Sequence, residues 1–391
     1  MAFQFKEKTV FIFIWFVFCF GFVNCASAEN MFGESNPDSD SLPMKVNIVI
    51  LNPKDREIPD FAVKMLREIA DYTRHFYVTE MTKQGYPPKH ESIFELDQDG
   101  DIKIYTANSP LTMVELEKVK HKKKHAYNCI DQPKSSYDNA VWWIFSNITN
   151  EVKYGFNGGG TVSFGTAIVN LPQAYEKIDN TIPLASSGYF VKHKLKALLH
   201  ELGHALQLPH NGPAPGFIEK DPNGNTLMGP TNKAFKQHYN TEDNRVYLSK
   251  LSAAILWKHP VFNHTNYKPF KTIDFVLTDI KINRDSIKNT AKLTGRINTK
   301  LPYHSVVLID APKNKRRHLK GNKSIRPLYR DRGYVAKIDE NGIFEFNIDK
   351  MTSKSGHFLI AVCFNNGLTC GAFKKPSTTR LKWMPLEYQF Q

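Results

Sequence analysis

The stretch Leu199-His200-Glu201-Leu202-Gly203-His204-Ala205-Leu206-Gln207-Leu208-Pro209-His210 constrains this chain more than any other. It follows an apolar run (Leu195, Leu198, Leu199) that reads as a helix. On a helix, residues four apart lie one above the other, so His200 and His204 face the same point. Pro209 stops the helix from continuing smoothly, so the chain turns after Gln207 and His210 emerges on the return. Zinc accepts neutral imidazole nitrogens at about 2.0–2.1 Å and in catalytic sites keeps a fourth position for water. Glu201, next to the first ligand, reaches that water without displacing it. Zinc lowers the water's pKa to about 7, and the glutamate accepts the proton as the oxygen attacks a carbonyl. A helix whose histidines merely cap or meet solvent gives no reason for a carboxylate between them.

Around this stretch the pattern mixes strands and helices. Residues 44–51 alternate and are rich in β-branched side chains, which predicts a first strand, and Phe61, Met65, Ile69, Tyr72 and Phe76 give 60–83 a helical stripe. Short strands over 93–96 and 102–105 flank Asp97, Asp99 and Asp101, which fit an Asp-Gly hairpin turn better than a calcium loop. A helix is expected over 111–125, ending in a basic run, His121 to His125, that reads as a solvated face. Residues 140–145 and 161–171 read as strands, Gly158-Gly159-Gly160 as a loop, 189–207 as the long helix and 241–257 as a last helix. From 273 to 373 only short alternating strands follow, separated by turn signals such as Asn341-Gly342, which suggests an immunoglobulin-like sandwich.

The motif HELGHALQLPH resembles the zinc signature of metzincin proteases, HExxHxxGxxH, and is closest to its matrixin form. Asn225-Thr226-Leu227-Met228-Gly229-Pro230 resembles the methionine turn of that family, in which Met228 is an apolar floor beneath the histidines and not a ligand. The resemblance implies an α+β metzincin-like catalytic domain, a twisted and mostly parallel sheet with an active-site helix, followed by a small all-β immunoglobulin-like sandwich. It implies a zinc endopeptidase with His200, His204 and His210 as ligands, Glu201 as general base and a protein or peptide substrate. The strand over 161–171 would be the edge along which the peptide lies. Gln207 stands where the family has glycine, at a chain reversal with positive φ, at an expected cost of about 1–2 kcal/mol. A thermolysin-like set, with Glu219 or Glu242 replacing His210, is the alternative among enzymes.

The segmentation expected on this basis is a signal peptide over 1–28, a linker over 29–43, the catalytic domain over 44–262, a linker over 263–272, the sandwich over 273–375 and a tail over 376–391. Lys6 and Lys8, an apolar run over 9–23 and Ala26-Ser27-Ala28 at a cleavage site predict export, with no membrane span in the mature chain. Of the five cysteines, Cys363 and Cys370 flank an Asn366-Gly367 turn and are expected to form a disulfide, while Cys129 is left over. About +13 of the formal net charge of +14 falls after residue 270. That asymmetry supports an alternative from a different class, a cell-surface or polyanion-binding protein that uses its basic β-domain and carries a structural or decayed metal site.

Overall fold

A computed structural model describes residues 43–131, 137–148, 156–184, 194–212, 224–231, 245–270, 274–313, 327–351, 353–371 and 381–390. The proposed signal peptide and linker over 1–42, residues 189–193 of the expected long helix, Glu219, Glu242 and residues 376–380 of the expected tail lie outside them.

The first half is built on β1 (Val46–Pro53), β2 (Ile104–Ser109), β3 (Val141–Ser146), β4 (Asn157–Gly160) and β5 (Gly165–Asn170), in the order β2-β1-β3-β5-β4. The first four positions run parallel and β4 is antiparallel to β5. β1 is buried along almost its whole length because both faces are covered: Val46, Ile48 and Ile50 enter one core cluster, Val49 and Leu51 another. The first cluster is filled by α1 (Ala62–Lys83), whose Met65, Leu66, Ile69, Phe76 and Tyr77 form one buried stripe. The second is closed by α2 (Met113–Glu117) and α3 (Lys122–Asn128), two short helices where one was expected. The Asp97 turn is a hairpin turn, with Gly100 at φ 84° and Arg67 ion-paired to Asp97 and Asp101 at 3.0 and 2.7 Å.

α4 (Leu195–Ala205) carries the histidine motif and packs on β4 and β5. The expected edge strand needs correcting. β5 lies inside the sheet, and the edge is β4, the segment read from the sequence as a glycine loop. The expected helix over 241–257 is also shorter. Residues 241–244 lie outside the described ones. Val246–Tyr247 form β7, which pairs with β6 (Asn225–Thr226), and α5 (Lys250–Trp257) starts only after Ser249, whose hydroxyl accepts from Ser252 N–H at 3.1 Å. α6 (Pro260–Asn263) follows.

The second half contains two sheets and, among its described residues, no helix. One has β8 (Phe275–Asp285), β9 (Thr290–Thr299), β12 (Lys337–Ile338) and β13 (Ile343–Ile348). The other has β10 (Tyr303–Pro312), β11 (Arg332–Val335), β14 (Ser355–Phe364), β15 (Thr369–Cys370) and β16 (Met384–Gln389). Residues expected in the tail therefore include a strand: β16 pairs with β14, buries Tyr388 and sends its hydroxyl to Asp310 Oδ1 at 2.6 Å. The β10 and β14 sheet is covered on both faces. Val306, Leu308, Phe358 and Ile360 pack with Phe344 and Phe346 of the other sheet. Val307, Ile309, Leu359 and Ala361 join the same cluster as α1, α4 and α5. The described residues accordingly fall in one compact unit.

Cys363 and Cys370 are free and buried, not bridged. The hairpin loop holds three residues, Asn365, Asn366 and the left-handed Gly367, where two were assumed, so Cys363 pairs with Thr369 and Cys370 with Val362. A shift of one residue turns a side chain to the opposite face. Cys363 thus faces the core shared with the first half, and Cys370 faces the core between the two sheets.

Candidate metal centre

Three imidazoles converge where the sequence pattern places them. One ring nitrogen each from His200, His204 and His210 lies within 4.8 Å of the others, and the Nε2 atoms of His204 and His210 are 2.8 Å apart. His200 Nδ1 is 2.8 Å from the carbonyl oxygen of Leu227, and His204 Nδ1 is 2.9 Å from that of Leu208. A carbonyl only accepts, so these contacts assign the proton to Nδ1 and leave the Nε2 lone pair facing the centre. Burial pushes the pKa of His200 down to about 3 and lowers that of His204, so both rings are neutral and able to ligate at ordinary pH. Two neutral imidazoles pinned through Nδ1, with a third ring nitrogen from His210 beside them, are a donor set that suits a divalent ion such as zinc.

His210 reaches the site because the helix ends as its sequence requires. Gln207 takes φ 70°, the left-handed conformation expected of the position where the family has glycine. The segment that follows is fixed by Asn211, whose N–H donates to Met228 O at 3.2 Å and whose carbonyl accepts from Thr226 Oγ1 at 2.5 Å. Residues 225–230 form a tight turn under the histidines. Gly229 N–H closes it onto Thr226 O at 3.1 Å, Asn225 Nδ2 donates to Pro230 O at 2.7 Å, and Leu227 N–H donates to Tyr247 O at 2.8 Å. Met228 is fully buried. A Cβ on Gly203 would lie 2.7 Å from its sulfur, so the absence of that atom lets the turn approach α4.

Glu201 is partly buried beside His200. Burial raises its pKa, and two groups work against that rise: a hydrogen bond from the Gly158 N–H on the edge strand and the ammonium of Lys123. Lys123 belongs to the basic run read as a solvated face. In the structure it turns inward, donates to Thr166 O at 3.0 Å, and burial pushes its pKa down to about 8. Neither Gly158 nor Lys123 was singled out from the sequence, since a glycine run and a lysine cluster are both usual on surfaces.

A further residue comes from the second half. The ring of Tyr329, in the turn before β11, lies 3.8 Å from that of His210, centroid to centroid, and 5.9 Å from that of His200. No local sequence signal marks it.

The sequence matches no family model and no curated protein. Among solved structures the chain is similar to wild-type OgpA from Akkermansia muciniphila, with a TM-score of 0.61 and 17% identity over 91% of this chain and 96% of that one. It is equally similar to catalytically inactive OgpA in complex with an O-glycopeptide (glycodrosocin) substrate, with a TM-score of 0.61 and 17% identity over 92% and 97% of the two chains. A likeness at this identity is one of fold, and by it this chain has the fold of OgpA along nearly its whole described length.

Proposed function

We propose that this chain is a zinc-dependent endopeptidase of metzincin type, exported by residues 1–28, whose substrates include O-glycosylated peptides. The observation that carries the reading is the convergence of His200, His204 and His210 with Glu201 beside them on the same helix. Zinc in that set would supply Lewis acidity, polarising a scissile carbonyl and acidifying a water molecule. The chain's own residues do the rest. His200 and His204 keep their Nε2 lone pairs aimed at one point through their Nδ1 bonds. Glu201 takes the proton of the attacking water at its carboxylate and returns it to the leaving amine. Gly158 N–H and Lys123 favour the ionised carboxylate that this step needs.

The substrate class is supported by the O-glycopeptide bound to OgpA, the protein whose fold this chain shares. We read the two sheets of the second half as an immunoglobulin-like sandwich, and its positive charge favours acidic surfaces or polymers as docking partners.

The test is zinc content and cleavage of glycodrosocin and its unglycosylated counterpart, measured on the mature chain beside Glu201→Ala. One zinc per chain in both proteins, with cleavage lost only in the variant, is the expected result. Cleavage that survives in Glu201→Ala removes the glutamate from the mechanism, and equal cleavage of both peptides removes the glycan from recognition.

A further inference from the structure

We propose that Tyr329 is a positioning residue for the metal centre: its ring holds the imidazole of His210 in the plane that ligation requires. The proposal rests on the three-histidine reading above. His200 and His204 are carried by a helix and pinned through Nδ1 to carbonyls. His210 lies beyond the helix end, after the left-handed Gln207, in an irregular segment. Its ring packs between two others. The His204 ring meets it at 4.5 Å and 75°, and the Tyr329 ring lies over it at 3.8 Å, tilted by 35°. A ring packed over another at this distance narrows the orientations open to the side chain beneath it.

Tyr329 is in turn held in place by backbone, and by the same segment that carries His210. Gly212 N–H donates to Asp331 O at 2.6 Å, and Gly212 and Arg332 form a parallel bridge. Gly212 and Asp331 each stand two residues beyond the ring they locate. The contact is close because Gly212 has no side chain: a Cβ there would lie 2.9 Å from Tyr329 O and 3.0 Å from Arg330 Cα. The turn is closed on itself, with Asp331 Oδ2 accepting from Leu328 N–H at 2.7 Å and Asp331 N–H donating to Leu328 O at 3.0 Å. Behind it, a Cβ on Gly333 would lie 2.9 Å from Leu251 of α5, so β11 sits directly on the first half. The metal centre is therefore assembled from two distant parts of the chain, and the second half contributes a wall to it.

The experiment measures zinc affinity by competition with a chromogenic chelator, in the full mature chain, for wild type, Tyr329→Phe, Tyr329→Ala and His210→Ala. Tyr329 is 44% exposed, so its truncation removes little from the core and the variants are expected to fold. Tyr329→Phe should bind zinc within about twofold of wild type and give the same visible spectrum when cobalt replaces zinc. Tyr329→Ala should bind about tenfold more weakly and shift that spectrum, the scale seen when a group supporting a ligand is lost. Wild-type affinity and spectrum in Tyr329→Ala would overturn the proposal. Equal damage in Tyr329→Phe and Tyr329→Ala would overturn it too, because the hydroxyl and not the ring would then be acting. His210→Ala separates this proposal from the one beneath it: if that variant keeps zinc, the three-histidine reading itself fails.

Discussion

At Gln207 a side chain with a Cβ is held at φ 70°, which costs about 1–2 kcal/mol relative to glycine. The residue is also buried, and neither atom of its amide has a hydrogen-bond partner. An unpaired buried amide adds a further penalty of about 1–3 kcal/mol. Apolar contact of its methylenes offsets part of both. The metal set requires only that the chain reverse here, and glycine reverses more easily. Gln207→Gly should therefore keep one zinc per chain and raise the thermal midpoint by a few degrees, read by calorimetry. A lower midpoint with zinc retained would show that packing outweighs the backbone strain. This residue was legible before the structure, because Pro209 and His210 together demand a reversal between them and the helix. Tyr329 was not, since its role comes from a backbone contact with Gly212, far away in sequence, that no spacing rule reports.

The pairing of α4 with the edge strand shows how an element can depend on missing atoms. Cβ atoms on Gly158, Gly160 and Gly165 would lie 2.1, 1.9 and 2.0 Å from backbone carbonyl oxygens of Glu201 and Ala205. The helix can lie across β4 and β5, with Glu201 beside the Gly158 N–H, only because these positions carry no side chain. Gly159 has nothing within 4 Å of the same position. Gly158→Ala should thus cost about 1–3 kcal/mol of stability and sharply reduce peptide cleavage, while Gly159→Ala leaves both within about twofold. Equal tolerance at the two sites, by denaturant titration and rate, would sink this account. The same geometry explains an error of reading. Strands are recognised by alternating side chains, and a run of glycines has none to alternate. Side-chain periodicity served well for β1, α1 and α4, whose buried stripes are long. It failed for Val246–Tyr247, where the backbone of Asn225–Thr226 supplies the pairing, and at Lys123, where a short helix turns one lysine of a basic run inward.

The sheet of β10 and β14 belongs to two cores at once, and this ties the halves of the molecule together. Val307 and Leu359 lie in the cluster that holds the histidine helix, while their neighbours Val306 and Phe358 lie in the cluster between the two sheets. Neither half can lose its structure without exposing one face of these strands, so the cores should open as one. The one-residue register shift at the hairpin provides two probes of that event. Cys363 and Cys370 are both fully buried, and burial raises both thiol pKa values, that of Cys363 to about 12, so neither thiolate is present in the folded chain near neutral pH. Each thiol becomes alkylatable only when its own face of the sheet is exposed. In a denaturant series with a maleimide, followed by peptide mass spectrometry, Cys363 and Cys370 should label with the same midpoint, well after the partly exposed Cys129. Labelling of Cys370 alone at low denaturant would mean that the two sheets separate while the half that carries the histidines holds. Left unbridged, the two thiols place one chemical clock in each of the two interiors that the sheet of β10 and β14 separates.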